Sequence, residues 1–444
     1  LNLWIEEFFG REGSDIIFAD HWEQSVTWLV LGFILFSITT GKIRYDLSAF
    51  GGLLLLGILG IASPLHLFAG FSSPALFTIV SVLVMSAGII ESGLLAGLGK
   101  AIAARVHDPG KQILALFLST SMISAFMNNV GAVGIILPTA KRMARRANVP
   151  PHEFGIPIAY GSILGGSATL IGTASNLIVS AYRQSIFGET FRMFDFAPHG
   201  LAMVFAGILV VLICRTLSCR LAGRKNQENS DQSIQAQPGD EEPLIFRHKK
   251  KSLMVLLTLF PAIALSGIGV MHPSIAFGAI NLIWILTGVF SYQTALRHIN
   301  VPIILFLGSM FGIASILDET GALKAAVSLI SPVLTKIAPF PLILIFLLVT
   351  ALFANILDNS VAAVLMAPAA IALWKTGAIS FNPDALLMAV AAGASLGLVI
   401  PTHQATIVVM ENMEFPQKTF IKIGAAICAI AGLISAYVIY IVWC

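Results

Sequence analysis

Residues 341–374 read PLILIFLLVTALFANILDNSVAAVLMAPAAIALW, an apolar run broken by polar residues only near its middle, at Leu357-Asp358-Asn359-Ser360. The arm on either side is about 15 residues, roughly 23 Å of helix at 1.5 Å per residue. The hydrocarbon core of a bilayer is about 30 Å thick. A re-entrant helical hairpin fits such arms better than full crossings do; two crossings joined by a polar turn is the competing reading. Residues 112–140, QILALFLSTSMISAFMNNVGAVGIILPTA, repeat the pattern with Met127-Asn128-Asn129 at the centre.

The rest of the chain agrees with a membrane setting. Its 444 residues are 57% hydrophobic and 11% charged, where a soluble protein carries about 25% charged residues. Apolar spans read as 26–40, 48–70, 74–99, 156–183, 195–217, 252–270, 274–290, 300–317, 384–410 and 419–442, many near the roughly 20 residues a crossing needs. The expected fold is an all-α polytopic membrane protein, embedded in the lipid bilayer of the cell membrane. Glu6, Glu7, Arg11, Glu12, Asp15, Asp20 and Glu23 near the start do not resemble a removable signal peptide. Cys214, Cys219, Cys428 and Cys444 form neither a disulfide scaffold nor a zinc site. No Walker motif or nucleophile arrangement is present, so the chain reads as no enzyme and as no ATP-driven pump. The net charge of +3 comes from loop residues and points to membrane orientation, not to nucleic acid.

The chain divides in two. Residues 1–47 hold an N-terminal segment and the first transmembrane helix, and 48–217 a first transmembrane repeat with the 112–140 hairpin. Residues 218–251 form a polar linker ending in Arg247, His248, Lys249, Lys250 and Lys251, read as cytoplasmic. Residues 252–444 hold the second repeat with the 341–374 hairpin. Asn129 and Pro138 correspond to Asn359 and Pro368, each 230 residues on, and Gly172-Thr173 corresponds to Pro401-Thr402. Lys100, Arg105, Lys111, Lys141, Arg142, Arg145 and Arg146 surround the first hairpin, whereas only Lys324, Lys336 and Lys375 surround the second. The hairpins are therefore expected to enter from opposite faces. Two inverted repeats, each with a re-entrant hairpin and an unwound transmembrane helix, are a secondary-transporter architecture with its site near the midplane.

Each half supplies two polar interruptions: Ser124 to Gly131 and Gly172 to Asn176 in the first, Asp358 to Ser360 and Pro401 to Thr406 in the second. Backbone that leaves helical geometry at membrane depth persists only where protein or a wet cavity satisfies it. Freed carbonyls with Asn, Ser and Thr oxygens suit a sodium ion, and helix N-termini suit an anion. The alternative use of these side chains is as hydrogen-bonding glue between helices. Asp358 is costly in a membrane and hence a functional candidate, as a sodium ligand, a proton carrier or a partner to a cation. His403 reads either as its titratable partner or as a packed, hydrogen-bonded residue. Glu91 and Glu319, at helix ends, read as interfacial.

At these interruptions the chain resembles the divalent anion/sodium symporter family of the ion transporter superfamily, over about residues 50–440. Asn128-Asn129-Val130 and Asp358-Asn359-Ser360 stand at its two hairpin-tip positions. Gly172-Thr173-Ala174-Ser175-Asn176 matches its first unwound segment, and Pro401-Thr402 the second. The resemblance implies one sodium site at Ser124, Asn128, Asn129 and Gly172. It implies another at Ala354, Leu357, Asn359 and Pro401, largely through carbonyls. Substrate would meet Asn129, Val130, Thr173, Asn359, Ser360 and Thr402, with Asp358, His403 and Asn176 as further site residues. Val130 and Asp358 depart from the family's Ser-Asn-Thr tips. The expected function is sodium-coupled symport of a small anionic substrate, a dicarboxylate or sulfate, by a homodimer in a membrane such as the bacterial inner membrane. The alternatives are a sodium/proton antiporter of the same superfamily using Asp358, and a channel or receptor.

Overall fold

The computed structural model describes residues 15–40, 42–94, 108–147, 150–222, 249–401, 403–413 and 417–444, and among them there are helices and no strands. In chain order they are α1 (Asp15–Thr40), α2 (Tyr45–Ile58), α3 (Pro64–Phe68), a 3₁₀ turn (Ala69–Ser72) and α4 (Pro74–Ser92). Next come α5 (Pro109–Ser124), α6 (Asn129–Ala147), α7 (Pro151–Gly166), α8 (Ala174–Phe187) and α9 (Ala197–Ala222). The second half holds α10 (Lys249–Gly267), α11 (Pro273–Leu286), α12 (Tyr292–His298), α13 (Val301–Glu319) and α14 (Ala322–Leu334). It ends with α15 (Pro339–Ile356), α16 (Asn359–Lys375), α17 (Asp384–Ala394), α18 (Gln404–Met413) and α19 (Gln417–Trp443). Seven helices among the described residues are long and apolar enough to cross a membrane. The chain is a multi-pass membrane protein.

Proline and glycine punctuate these helices. Pro74, Pro109, Pro151, Pro273 and Pro339 open theirs, where the missing N–H costs nothing. The expected span 48–70 is not one helix. α2 stops at Ile58, Gly60 turns the chain at φ +75°, and Pro64 starts α3. The span 274–290 likewise ends at Leu286, before Gly288 at φ +73°. In 156–183 and 384–410 helix is lost at residues 167–173 and, among the described residues, at 395–401 and 403. The breaks begin earlier than Gly172 and Pro401, and Ala174-Ser175-Asn176 already form the first turn of α8. α14 was not legible as an element.

The helices pack as two bodies. One contains α1 to α4 and α10 to α14; the other contains α5 to α9 and α15 to α19. They meet chiefly where α4 touches α6 and α8, and where α13 and α14 touch α16. Within the second body the halves repeat the same contacts. Gly161 lies against the backbone of Phe117, and Gly393 against that of Leu347, 230 residues beyond Phe117. Gly155 packs on Met413, and at the corresponding place Arg183 of α8 meets Asp384 of α17.

That last contact is an ion pair: Arg183 Nε lies 3.1 Å from both carboxylate oxygens. Its Nη1 donates to Glu189 O and Thr190 O, and the guanidinium stacks 4.9 Å from the Phe191 ring. The Asp384 side chain is 6% exposed. Removing one partner strands the other charge, so Arg183→Met is expected to lower stability by about 2 kcal/mol, read as a lower thermal midpoint of the detergent-solubilised protein.

Candidate functional site

Hairpin arms α5 and α6 are joined by Ala125 to Asn128, and α15 and α16 by Leu357-Asp358 alone. In each second arm a proline, Pro138 or Pro368, interrupts the hydrogen-bond ladder. Both tips and both unwound segments open on one cavity of about 480 Å³. Asn128, Asn129, Val130, Gly172 and Thr173 line it from the first half, and Leu357, Asp358, Asn359, Ser360 and His403 from the second. Four helices, α6, α8, α16 and α18, begin at its wall. Each helix brings its positive dipole end and first-turn N–H groups to that wall, and three of those groups, Gly131 N, Ser360 N and Ala405 N, are capped by side chains.

The two tips are fixed in parallel ways. The Asn129 amide spans Ser124 Oγ at 2.8 Å and His403 Nε2 at 3.2 Å, so a first-half tip touches a second-half segment directly. His403 Nδ1 accepts from Ala405 N at 3.1 Å and holds the ring in place. Asn128 Oδ1 accepts from Gly131 N, and Asp358 Oδ1 from Ser360 N, each capping the helix that follows. Asp358 is thus an N-cap as well as a charge. It lies close enough to His403 and Tyr45 to act on both electrostatically. Asn359 differs from Asn129: its amide nitrogen is buried with no hydrogen-bond partner among the described residues. A buried donor without an acceptor is costly, and it marks where a ligand's oxygen would be welcome.

Behind the wall stand the braces. Asn176 Nδ2 donates to Ser167 O and Thr169 O, and Thr169 Oγ1 donates to Ala125 O, tying the first unwound segment to the first tip. In the second half Asn355 does this work. It donates to Leu396 O at 3.1 Å and accepts from Val399 N at 2.8 Å and Ile400 N at 3.1 Å. Ser124, Asn176 and Ala354 are buried beneath the surface of the cavity, Pro401 is not part of its wall, and Thr402 lies outside the described residues.

Other residues were missed by reading the sequence. Gly166 and Gly397 press against the Oδ1 atoms of Asn129 and Asn359, and the only signal was glycine in an apolar run. Arg44 and Tyr45 also line the cavity. Arg44 is held by Asp46, Nε to Oδ1 at 3.1 Å and Nη2 to Oδ2 at 3.0 Å, and the Tyr45 ring meets Phe306 edge-on. A flanking loop arginine gave no sign of reaching the hairpin tips.

The sequence matches the citrate transporter family over residues 33–393. The chain belongs to the citrate transporter family. As a member of this transporter family it also has relatives among curated proteins. An uncharacterized transporter of Synechocystis sp. is 28% identical over 52% of this chain and 37% of its own length. The probable sodium/sulfate cotransporter 3 of Chlamydomonas reinhardtii is 26% identical over 41% of this chain and 21% of its own. The matches thus span little more than a third of these relatives or less. The fold is that of the YdaH transporter of Alcanivorax borkumensis, with a TM-score of 0.61, 17% identity and coverage of 94% of this chain and 98% of that one. The Neisseria gonorrhoeae MtrF structure aligns with a TM-score of 0.59, 13% identity and 85% and 82% coverage.

Proposed function

We propose that this member of the citrate transporter family is a sodium-coupled secondary transporter of a small divalent anion, a dicarboxylate or sulfate, working by alternating access. The observation that carries the reading is that four helices begin at the wall of one cavity, with Asn359, whose buried amide nitrogen has no hydrogen-bond partner among the described residues, on the same wall. Those groups are donors and positive dipole ends, which suit an anion. Backbone carbonyls at the arm ends, with Ser124, Asn128 and Asn129 oxygens nearby, suit sodium. The Chlamydomonas relatives named as sodium/sulfate cotransporters support the ion and the oxyanion, and the family's name supports a carboxylate. The division into two helix bodies, with the cavity between them, supports alternating access.

The remaining architecture belongs to the same proposal. The two halves are inverted repeats, the linker is cytoplasmic, its expected bounds of 218–251 shortened by α9 running to Ala222 and α10 starting at Lys249, and the protein works as a homodimer in a bacterial inner membrane.

Asp358 favours a second reading, since a carboxylate lines the cavity meant for an anion. In a sodium/proton antiporter it would exchange the two cations and no anion would be carried. Asp358→Asn separates the readings, with uptake and proton flux measured side by side in proteoliposomes. In the anion symporter, transport persists with affinity shifted by up to about tenfold, the size of one partly screened charge interaction. Loss of sodium/proton exchange in that variant, with no anion uptake in the parent, would overturn the symport reading.

A further inference from the structure

The cavity at the hairpin tips is followed, along the same three helices, by another of about 350 Å³. α8 lines the first with Leu177 and the second with Ile186; α13 does so with Phe306 and then Ala314; α16 with Val361 and then Pro368. The second cavity also lies between the two helix bodies. Its wall on the first body is closely packed, because the 3₁₀ turn sits directly on α13: a side chain added at Gly70 would come within 2.7 Å of Gly312 N.

Tyr182 and Phe311 line the second cavity at its end nearer the first along α8 and α13. Tyr182 of α8 meets Phe311 of α13 edge-on, with ring centroids 5.6 Å apart and planes at 76°. The Tyr182 hydroxyl donates to Val364 O of α16 at 3.5 Å, so all three helices contribute at that level. Further along, Lys375 Nζ of α16 lies 2.6 Å from Asp318 Oδ2 of α13 beside the second cavity. The ring contact and the ion pair each join one body to the other. Neither is strong. The two charged side chains are about half exposed, and such a pair biases a two-state equilibrium by no more than about fivefold. Contacts of that size suit a closure that must break and re-form in each cycle.

We infer that the second cavity is the vestibule by which substrate enters or leaves on the side away from Arg44. The Tyr182–Phe311 contact is the barrier between vestibule and site, and Lys375–Asp318 is the latch that keeps it shut in this conformation. The inference rests on the transporter reading but not on the identity of the substrate.

Its test uses the full chain with Cys214, Cys219, Cys428 and Cys444 replaced by Ala, and Leu83→Cys as a reporter in the first cavity. A charged, membrane-impermeant methanethiosulfonate is applied to each face of oriented proteoliposomes. Labelling should be fast from the Arg44 side and slow from the Lys375 side. Phe311→Ala should raise the slow rate at least tenfold; Tyr182→Phe, which keeps the ring, should leave it unchanged. Asp318→Asn, a change at an exposed residue, should raise it by up to about fivefold. Fast labelling of the parent from the Lys375 side overturns the inference. So does an unchanged rate in Phe311→Ala, or in Asp318→Asn if Phe311→Ala does not insert. Because labelling needs no substrate, failure here is distinct from failure to carry citrate or sulfate.

Discussion

Asn129→Ala and Asn359→Ala are each expected to reduce transport at least tenfold while leaving the protein folded and inserted. Each asparagine is the first residue of the second hairpin arm, with its amide at the cavity wall. An amide can accept through oxygen and donate through nitrogen, so one side chain can serve a cation and an anion together. Hydrogen bonds to charged groups contribute about 1.5–3 kcal/mol each, and a loss of that size is tenfold or more. The variants should differ in detail. Asn129→Ala also breaks the link from Ser124 to His403 across the two halves. Asn359→Ala removes a nitrogen that has no partner among the described residues, so its cost to stability is small and its cost falls on the ligand. Uptake by proteoliposomes, with thermal unfolding of the purified variants as control, checks both. Normal transport in both would rule out a shared cation–anion site.

Gly166→Ala and Gly397→Ala should be nearly as damaging, by displacing these asparagines without touching the ligand. A methyl at Gly166 would lie 2.6 Å from Asn129 Oδ1 and 2.9 Å from Gly172 O. At Gly397 it would lie 2.9 Å from Ala354 O and 3.0 Å from Asn359 Oδ1. A Cβ atom essentially never lies within 3.0 Å of such an oxygen, so the neighbours must move. The backbone carbonyls cannot rotate away, so the tip amides or the unwound segments must shift. Overpacking of this kind costs about 1–3 kcal/mol, and misplacing the site by about 1 Å can cost a hundredfold in rate. The expected result is a lower thermal midpoint with transport reduced at least tenfold. Gly134→Ala, where an added methyl meets nothing within 4 Å, should behave as the parent. An unaffected Gly166→Ala would mean that the close packing of tip and unwound segment is not required.

Much of the architecture was legible because membranes make sequence patterns stark. Apolar runs with Asn129 and Asn359 at their centres showed where each helix pair breaks, but the arms are 16 to 19 residues and not about 15, and α15 is long enough to cross a membrane. GTASN at 172–176 announced an unwound segment. The exact ends of the breaks were hidden, because Ser167 to Ile171 and Ser395 to Ile400 are small and apolar residues that serve equally well in helix. Their conformation depends on partners outside each break: Asn176 just beyond it and Ala125 of the first tip in one half, Asn355 of the hairpin in the other. Arg44 illustrates the same limit: its approach to the tips follows from how the bodies pack. Asp358 carried two meanings at once. Its charge was read from the sequence, and its capping of α16 was seen only in the structure.

The central claim is that one cavity takes a cation and an anion together. The most direct measurement is uptake of labelled citrate, succinate and sulfate into proteoliposomes, with an inward sodium gradient and with the sodium replaced by choline. The account predicts that at least one of these anions accumulates, that accumulation requires the sodium gradient, and that Asn359→Ala reduces it at least tenfold. Accumulation that proceeds equally well in choline, or that is undiminished in Asn359→Ala, would contradict it.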